Sequence, residues 1–323
     1  MALNSVNVSV GTAGVLGLAD VAMDVAPTTA YLMLGGRCSM ACAFCAQART
    51  SSANALNLSR VTWPQFPLAE TVGRLAEAVE RGAIRRCCLQ VTAGQGYYER
   101  ALAVIRAIKA AAEVPLDAAI LPHTLDHAAG LIAADVDHIG FGLDAASERV
   151  FCRVKGGNWA RSLGLIEGVA RRFPGHAAAH LIVGLGETEQ EMVDMMHRLH
   201  DWGVTVGLFA FTPVRGTGMA HLPPPPLAVY RRMQAARHLI AHDLARAGDF
   251  TFSPDGRLID FGLPDLPHLL SGGAAFQTSG CPDCNRPYYN ERPAGPMYNY
   301  PRPLSEAEIQ RALTALKGEP GSE

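Results

Sequence analysis

The chain has 323 residues, 49% of them hydrophobic and 18% charged, with a formal net charge of −2 and a pI of about 6.6. This composition excludes disorder and a disulfide-stapled mini-fold, and the length allows one large or two ordinary domains. With neither a strong field of either sign nor a Lys/Arg cluster, no nucleic-acid and no membrane partner is expected.

In chain order, the longest apolar stretch near the start is 10–26. Asp20 and Asp24 interrupt it and no basic leader precedes it, so it does not read as a secretory signal and a cytoplasmic protein is expected. Strand-like runs follow at 29–34, 86–91, 116–121, 138–143, 178–183 and 206–211. Between them, apolar residues at three-four spacing predict helices over 68–81, 98–112, 124–134, 159–173 and 188–202. A sixth helix, 226–247, is introduced by consecutive prolines from Pro223, and a short strand is expected at 250–253. Such alternation implies parallel strands with right-handed crossovers, an α/β fold of the (β/α) TIM-type barrel or partial-barrel kind, with chemistry at the C-terminal strand ends. The expected division is an N-terminal extension (1–28), the barrel (29–253) and an irregular C-terminal cysteine-bearing segment with a short helix (254–323). That last helix, 305–316, has Ser305 as N-cap and Glu308 to complete a capping box, and the residues after it are expected to be disordered.

The cysteines are bunched: Cys38, Cys42 and Cys45, then Cys87 and Cys88, a lone Cys152, and Cys281 with Cys284. In a cytosolic chain, bunching points to metal or redox work. Cys38, Cys42 and Cys45 stand in C-x-x-x-C-x-x-C spacing just after the first barrel strand, one thiolate short of a closed tetrahedral zinc site. A cubane iron–sulfur cluster on three thiolates leaves one iron open, whereas a zinc or structural site would need a distant histidine. Cys152 is expected to be a buried core thiol on a helix.

The triplet, with Phe44 ahead of its third cysteine, resembles the radical S-adenosylmethionine superfamily. The resemblance implies a [4Fe-4S] cluster on Cys38, Cys42 and Cys45 as the catalytic centre. Its open iron chelates S-adenosylmethionine, and one electron releases a 5′-deoxyadenosyl radical that abstracts hydrogen from substrate. Further stations are similar to the biotin-synthase branch. Thr92, Ala93 and Gly94 fall where a small-residue turn holds the methionine amino group, and Asp144 falls near the ribose. Arg161 matches the arginine that pairs with the methionine carboxylate, which suits a bidentate guanidinium. Gly184, Leu185 and Gly186, in HLIVGLGET, match the segment backing the adenine, and Val214–Gly218 resembles a Gly-Thr turn. The resemblance covers about 29–253.

Cys281-Pro-Asp-Cys284 cannot complete a metal site alone. Cys88 is the expected third ligand, with Cys87 on the opposite face of the strand, and the choice between the two is left open by the alternation itself. The string RCCLQ resembles a biotin-synthase-related pattern that favours Cys88. A disulfide or a zinc knuckle in the tail is the alternative. The fourth ligand is left open between Ser279, Asn285, a sulfide and the substrate. A second, auxiliary Fe–S cluster, expected to be [4Fe-4S], implies sulfur insertion into an unactivated C–H bond. The tail CPDCNRPYYNE resembles a subunit of the two-component lipoyl synthases of archaea and sulfur-oxidising bacteria. That resemblance implies a radical sulfurtransferase, with an octanoylated lipoyl-carrier protein or peptide as substrate. It also implies a second lipoyl synthase subunit and a ferredoxin or flavodoxin electron donor. A biotin synthase acting on dethiobiotin and a non-catalytic Fe–S or zinc protein are the other readings. The auxiliary cluster is expected to face the radical cluster across a substrate gap, with residues 280–301 roofing the barrel mouth.

Overall fold

A computed structural model describes residues 4–291 and 295–318. Its strands are β1 (Ser5–Val8), β2 (Thr29–Leu34), β3 (Asn57–Leu58), β4 (Val61–Thr62), β5 (Gln65–Pro67), β6 (Arg86–Val91), β7 (Leu116–Ala119), β8 (His138–Asp144), β9 (Ala177–Val183), β10 (Thr205–Ala210), β11 (Thr251–Phe252) and β12 (Leu258–Asp260). Its helices are α1 (Val10–Val15), α2 (Leu68–Glu80), α3 (Tyr97–Ala111), α4 (Leu125–Ala133), α5 (Glu148–Val154), α6 (Trp159–Arg172), α7 (Glu189–Asp201), α8 (Leu227–Ala241), α9 (Leu266–Leu269) and α10 (Glu306–Leu316). The main sheet runs β10-β9-β8-β7-β6-β2-β1-β5. Every pairing from β2 through to β10 is parallel, so six βα units make a partial barrel, as the alternation predicts. No helix of the described residues is long and apolar enough to cross a membrane.

The segment ahead of Thr29, read from sequence as an extension, supplies β1, which pairs antiparallel with both β2 and β5. At four residues it is too short to show a period. Cys152 lies on α5 but is exposed, not a core thiol, because the buried face of that helix is taken by Val150, Phe151 and Val154. The capping box at Ser305 and Glu308 is present. The residues past 318, expected to be disordered, lie outside the described residues.

Side chains that alternate outward from the strands, such as Leu32, Leu89, Ala118, Phe141, Leu181 and Leu208, pack with the helices into one core. The inward set is different. An ordinary barrel fills its lumen with branched side chains. Here Gly140 and Gly207 face His180, and Gly142 faces the carboxylate of Asp144, so part of the interior stays open. A cavity of 830 Å³ occupies it, bounded by Cys88, Gln90, Asp117, His180, Phe209 and the tail.

Candidate active site

The loop after β2 carries the first cysteine group. Backbone bonds pin it on several sides: Cys38 N donates to Gln47 O (2.8 Å), Ser39 N to Ala93 O (2.7 Å) and Ala43 N to Val154 O (2.6 Å). Thus the turn at Thr92–Gly94 lies directly against the cysteine loop. Cys42 and Cys45 each lie near Cys38 and Asp144. Burial pushes the Cys42 thiol up to about 12 and the Cys45 thiol up to about 11. Such thiols stay protonated near neutrality unless a metal displaces the proton.

Asp144 is placed by an irregularity in the β8–β9 register and by a left-handed backbone (φ 66°), which turn it out of the strand pattern. Its carboxylate pairs with Lys155 Nζ at 2.6 Å. Burial opposes the Lys155 charge, but Asp144 and the Cys42 and Cys45 thiols outweigh it, and its pKa is raised. Lys155 therefore keeps a cation beside the thiols, a role the sequence did not reveal.

Arg161 opens α6, is exposed, and donates from Nη2 to His123 O at 3.3 Å. The His123 ring meets Tyr97 edge-on at 5.6 Å, and Tyr97 in turn senses Cys38. Arg161 is thus linked to the cysteine loop through three contacts. Gly184 and Gly186 both have left-handed φ (101° and 108°). Their turn is held by the Glu187 carboxylate, which accepts from Gly184 N (2.7 Å) and Leu185 N (3.0 Å). Beside it lies a slot of 590 Å³ formed with Pro225, Met219 and Val229. A Cβ on Gly184 would press on Pro225 and one on Gly186 on Arg153, so both glycines are required where they stand. Phe44 packs against the core behind the loop.

The second cysteine group assembles inside the barrel. The register places Tyr31, Cys88, Asp117 and His138 side by side on neighbouring strands, all inward. Cys87, on the other face, is fully buried in the helix-side core, as alternation requires. Cys281 and Cys284 reach this layer from the tail. Cys88 senses both of them, and burial drives its thiol and that of Cys281 well above the ordinary range. Gln90 Nε2 donates to Cys88 Sγ at 3.0 Å, and Tyr31 Oη lies 3.5 Å from Cys284 Sγ. The structure therefore brings together the three cysteines chosen from sequence. Their thiol chemistry, charge coupling and adjoining cavity fit an iron–sulfur group. The Cys281 and Cys284 thiols are free, so the tail holds no disulfide.

Among the described residues, the cysteine-bearing start of the tail lies low in the barrel, and Tyr289 and Asn290 reach the C-terminal mouth. Ser279 Oγ accepts from Leu208 N (2.9 Å), and Asp283 O accepts from the hydroxyls of Thr28 (2.7 Å) and Thr29 (3.0 Å) at the start of β2. Asn290 Nδ2 then donates to Ala210 O (2.9 Å), at the C-terminal end of β10. The tail climbs the open edge of β10, with its cysteines near the N-terminal strand ends. The exposed backbone of that edge strand is what attracts it. Ser279 is committed to Leu208, while Asn285 accepts from Thr28 N (3.1 Å) and donates to Ala26 O (3.0 Å). Ser279 lines the cavity with its hydroxyl engaged by β10, whereas Asn285 is tied to the segment ahead of β2.

Three lumen residues went unnoticed in the sequence. His180 is held neutral by burial, its pKa lowered to about 4. Arg286 stacks on Phe209 at 3.8 Å and donates to Ser279 O at 2.6 Å. Its charge is opposed by burial but sustained by Cys284 and Tyr31. Tyr289 senses both Cys45 and Cys88, so it stands between the two groups. The one available signal was a polar residue amid an apolar strand, as at Asp117 and His180.

A three-cysteine loop after the first parallel strand of a partial (β/α) barrel defines a class. Residues 32–199 match the radical SAM superfamily, and the chain belongs to it. Membership implies S-adenosylmethionine and a 4Fe-4S cluster. Among curated proteins, the chain is 31% identical over 222 residues to the biotin synthase of Desulforudis audaxviator, covering 64% of this chain and 62% of that protein. It is 28% identical over 184 residues to the lipoyl synthase of Trichlorobacter lovleyi, covering 54% and 60%. The chain thus spans about three fifths of the length of these relatives. Among solved structures, the [FeFe]-hydrogenase maturase HydG superposes with a TM-score of 0.54 at 13% identity, covering 66% of this chain and 50% of that one. Methylornithine synthase (PylB) gives 0.51 at 12% identity, covering 66% and 62%. These likenesses show the fold.

Proposed function

We propose that the protein is a radical sulfurtransferase of the lipoyl synthase type, which inserts sulfur into an unactivated C–H bond of a protein-bound octanoyl chain. The observation that carries this reading is the convergence of Cys88, Cys281 and Cys284 on the lumen beneath the Cys38–Cys45 loop. Radical generation needs one iron–sulfur group; a second, across an open lumen, answers the need for a sulfur donor. When bound, the first supplies the electron that cleaves S-adenosylmethionine and the second supplies sulfide.

The chain's own residues do the rest. Cys38, Cys42 and Cys45 hold the first group and Lys155 offsets its negative charge. The glycine turn at 184–186 accepts a flat base beside Pro225, Asp144 takes the ribose side, and Arg161 binds the methionine carboxylate. Thr92, Ala93 and Gly94 border the amino group. Phe209 and Tyr289 give the lumen apolar walls that exclude water from a reactive carbon. The partners that go with this reading are an octanoylated carrier, a second lipoyl synthase subunit, and a ferredoxin or flavodoxin donor, in the cytoplasm.

Biotin synthesis is the second reading. Arg286, a guanidinium inside the lumen, favours it, because it could receive the free carboxylate of dethiobiotin, whereas an octanoyl amide has none. The test offers both substrates to the anaerobically reconstituted protein with S-adenosylmethionine and reductant. Mass spectrometry should find a sulfur adduct on an octanoyl-lysyl peptide. Conversion of dethiobiotin alone would favour the second reading, and cofactor cleavage without sulfur in either product would reject both.

A further inference from the structure

The three cysteines leave the auxiliary group one ligand short, and the layer that holds Cys88 contains a carboxylate. Asp117 is only 3% exposed. Its Oδ1 accepts from Arg86 Nη1 at 2.9 Å and contacts His138 Nδ1 at 2.9 Å. Both interactions use Oδ1, so Oδ2 keeps lone pairs of its own. The ligand atoms of Asp117, His138 and Cys281 all lie within 4.8 Å of one another, close enough to share one metal group.

We propose that Asp117 is the fourth ligand of the auxiliary cluster, binding the iron that no cysteine reaches, and that Arg86 and His138 position it. The inference rests on the auxiliary-cluster reading above. Two alternatives are otherwise committed: Ser279 to Leu208 N and Asn285 to Thr28 and Ala26. His138 spends Nδ1 on Asp117, the arrangement by which a neighbouring group fixes a carboxylate. When iron binds, the Cys281 thiol gives its proton to solvent as its sulfur bonds to metal, and the free lone pairs of Asp117 Oδ2 bond the remaining iron. No electron moves in this step. A carboxylate is a harder ligand than a thiolate, so its iron is distinct from the other three.

The test uses the full chain carrying Cys38→Ala, Cys42→Ala and Cys45→Ala, reconstituted with iron-57 and sulfide under anaerobic conditions. Mössbauer spectroscopy of this background should show one iron in about four with oxygen-type ligation. Asp117→Cys should keep the iron and convert that minority signal to thiolate type. Asp117→Ala should retain iron roughly tenfold or more weakly against a chelator. Because Asp117→Ala leaves Arg86 buried and unpaired, the Asp117→Cys spectrum decides if the alanine variant misfolds. An unaltered Mössbauer spectrum in Asp117→Cys would overturn the assignment, as would nitrogen coupling in pulsed EPR lost in His138→Ala. A background chain that binds no iron at all would overturn the auxiliary-cluster reading itself and this assignment with it.

Discussion

Cys87 and Cys88 are adjacent, yet exchanging each for alanine should give opposite results. Cys87 is fully buried among Leu89, Leu116 and the helices, with no place for metal. Cys87→Ala removes one methyl-sized group from a packed core, which costs about 0.5–1.5 kcal/mol. At roughly 2–4 °C per kcal/mol for a large domain, the iron-free protein should melt a few degrees lower. Its iron and sulfide content after reconstitution should be unchanged. Cys88 faces the lumen, where its sulfur accepts from Gln90 and meets open volume on the other side. Cys88→Ala therefore loses little packing and should leave the melting temperature within about 2 °C, since a single net hydrogen bond contributes about 1 kcal/mol or less. It should lose the auxiliary iron, about half the total when each site holds one cubane cluster. Iron by colorimetric assay and melting by circular dichroism suffice. Iron loss in Cys87→Ala with full iron in Cys88→Ala would refute the assignment of faces.

Three further outcomes are expected. The Cys281→Ala/Cys284→Ala double variant should still release 5′-deoxyadenosine with reductant but form no thiolated octanoyl peptide, as read by liquid chromatography and mass spectrometry; continued thiolation would remove the tail as sulfur holder. Arg161→Ala should weaken S-adenosylmethionine binding tenfold to a hundredfold, the ~1.5–3 kcal/mol of a charge-assisted pair, and unchanged affinity by calorimetry would show that Arg161 does not meet the carboxylate. His180 is lowered from 6.5 to about 4 by burial, so the unfolded chain takes up its proton first as pH falls. Its contribution is present above pH 6.5 and is lost between 6.5 and 4, so between pH 7 and 5 iron-free wild type should lose about 2 kcal/mol more than His180→Gln in urea titrations. Equal losses would mean that the ring is not shielded from water.

Much of this arrangement was legible in the chain. The six parallel strands are apolar runs bounded by turn residues, and period-two alternation puts Cys87 and Cys88 on opposite faces, of which the structure makes the first the core and the second the lumen. The Gly184–Gly186 turn was legible because two glycines close a strand within a run that resembles a known segment, and both have left-handed φ. What escaped was set by contacts between distant segments. β1 is four residues long and exists because β2 and β5 offer it hydrogen bonds. The course of the tail depends on Ser279 meeting Leu208 and Asp283 meeting Thr28, pairs more than 70 residues apart with no local signature. Reading the tail as a roof followed from chemistry that needs both groups close together. The tail cysteines meet that need from the other end of the barrel.

That placement has a physical rationale. Cysteines laid over the C-terminal mouth would compete for space with the cysteine loop, the 184–186 turn and any cofactor between them. Entering along β10 keeps the second group clear of the first and gives it an enclosed floor. The separation follows from the strands. Cys88 is level with Tyr31 in β2, and the cysteine loop begins beyond Leu34, three residues further on. At a rise of about 3.3 Å per residue, that is roughly 10 Å along the barrel axis before the loop adds its own height. The gap is bridged by Tyr289 and His180 and kept open by Gly140 and Gly207. A fully packed lumen would stabilise the barrel more but would leave nothing between the thiol groups. The glycines, the shielded imidazole and the guanidinium on Phe209 are features that cost stability in an ordinary barrel, and they gather here between the two cysteine groups. On the proposed reading this is where a substrate carbon must lie, near enough to lose hydrogen on one side and to receive sulfur on the other.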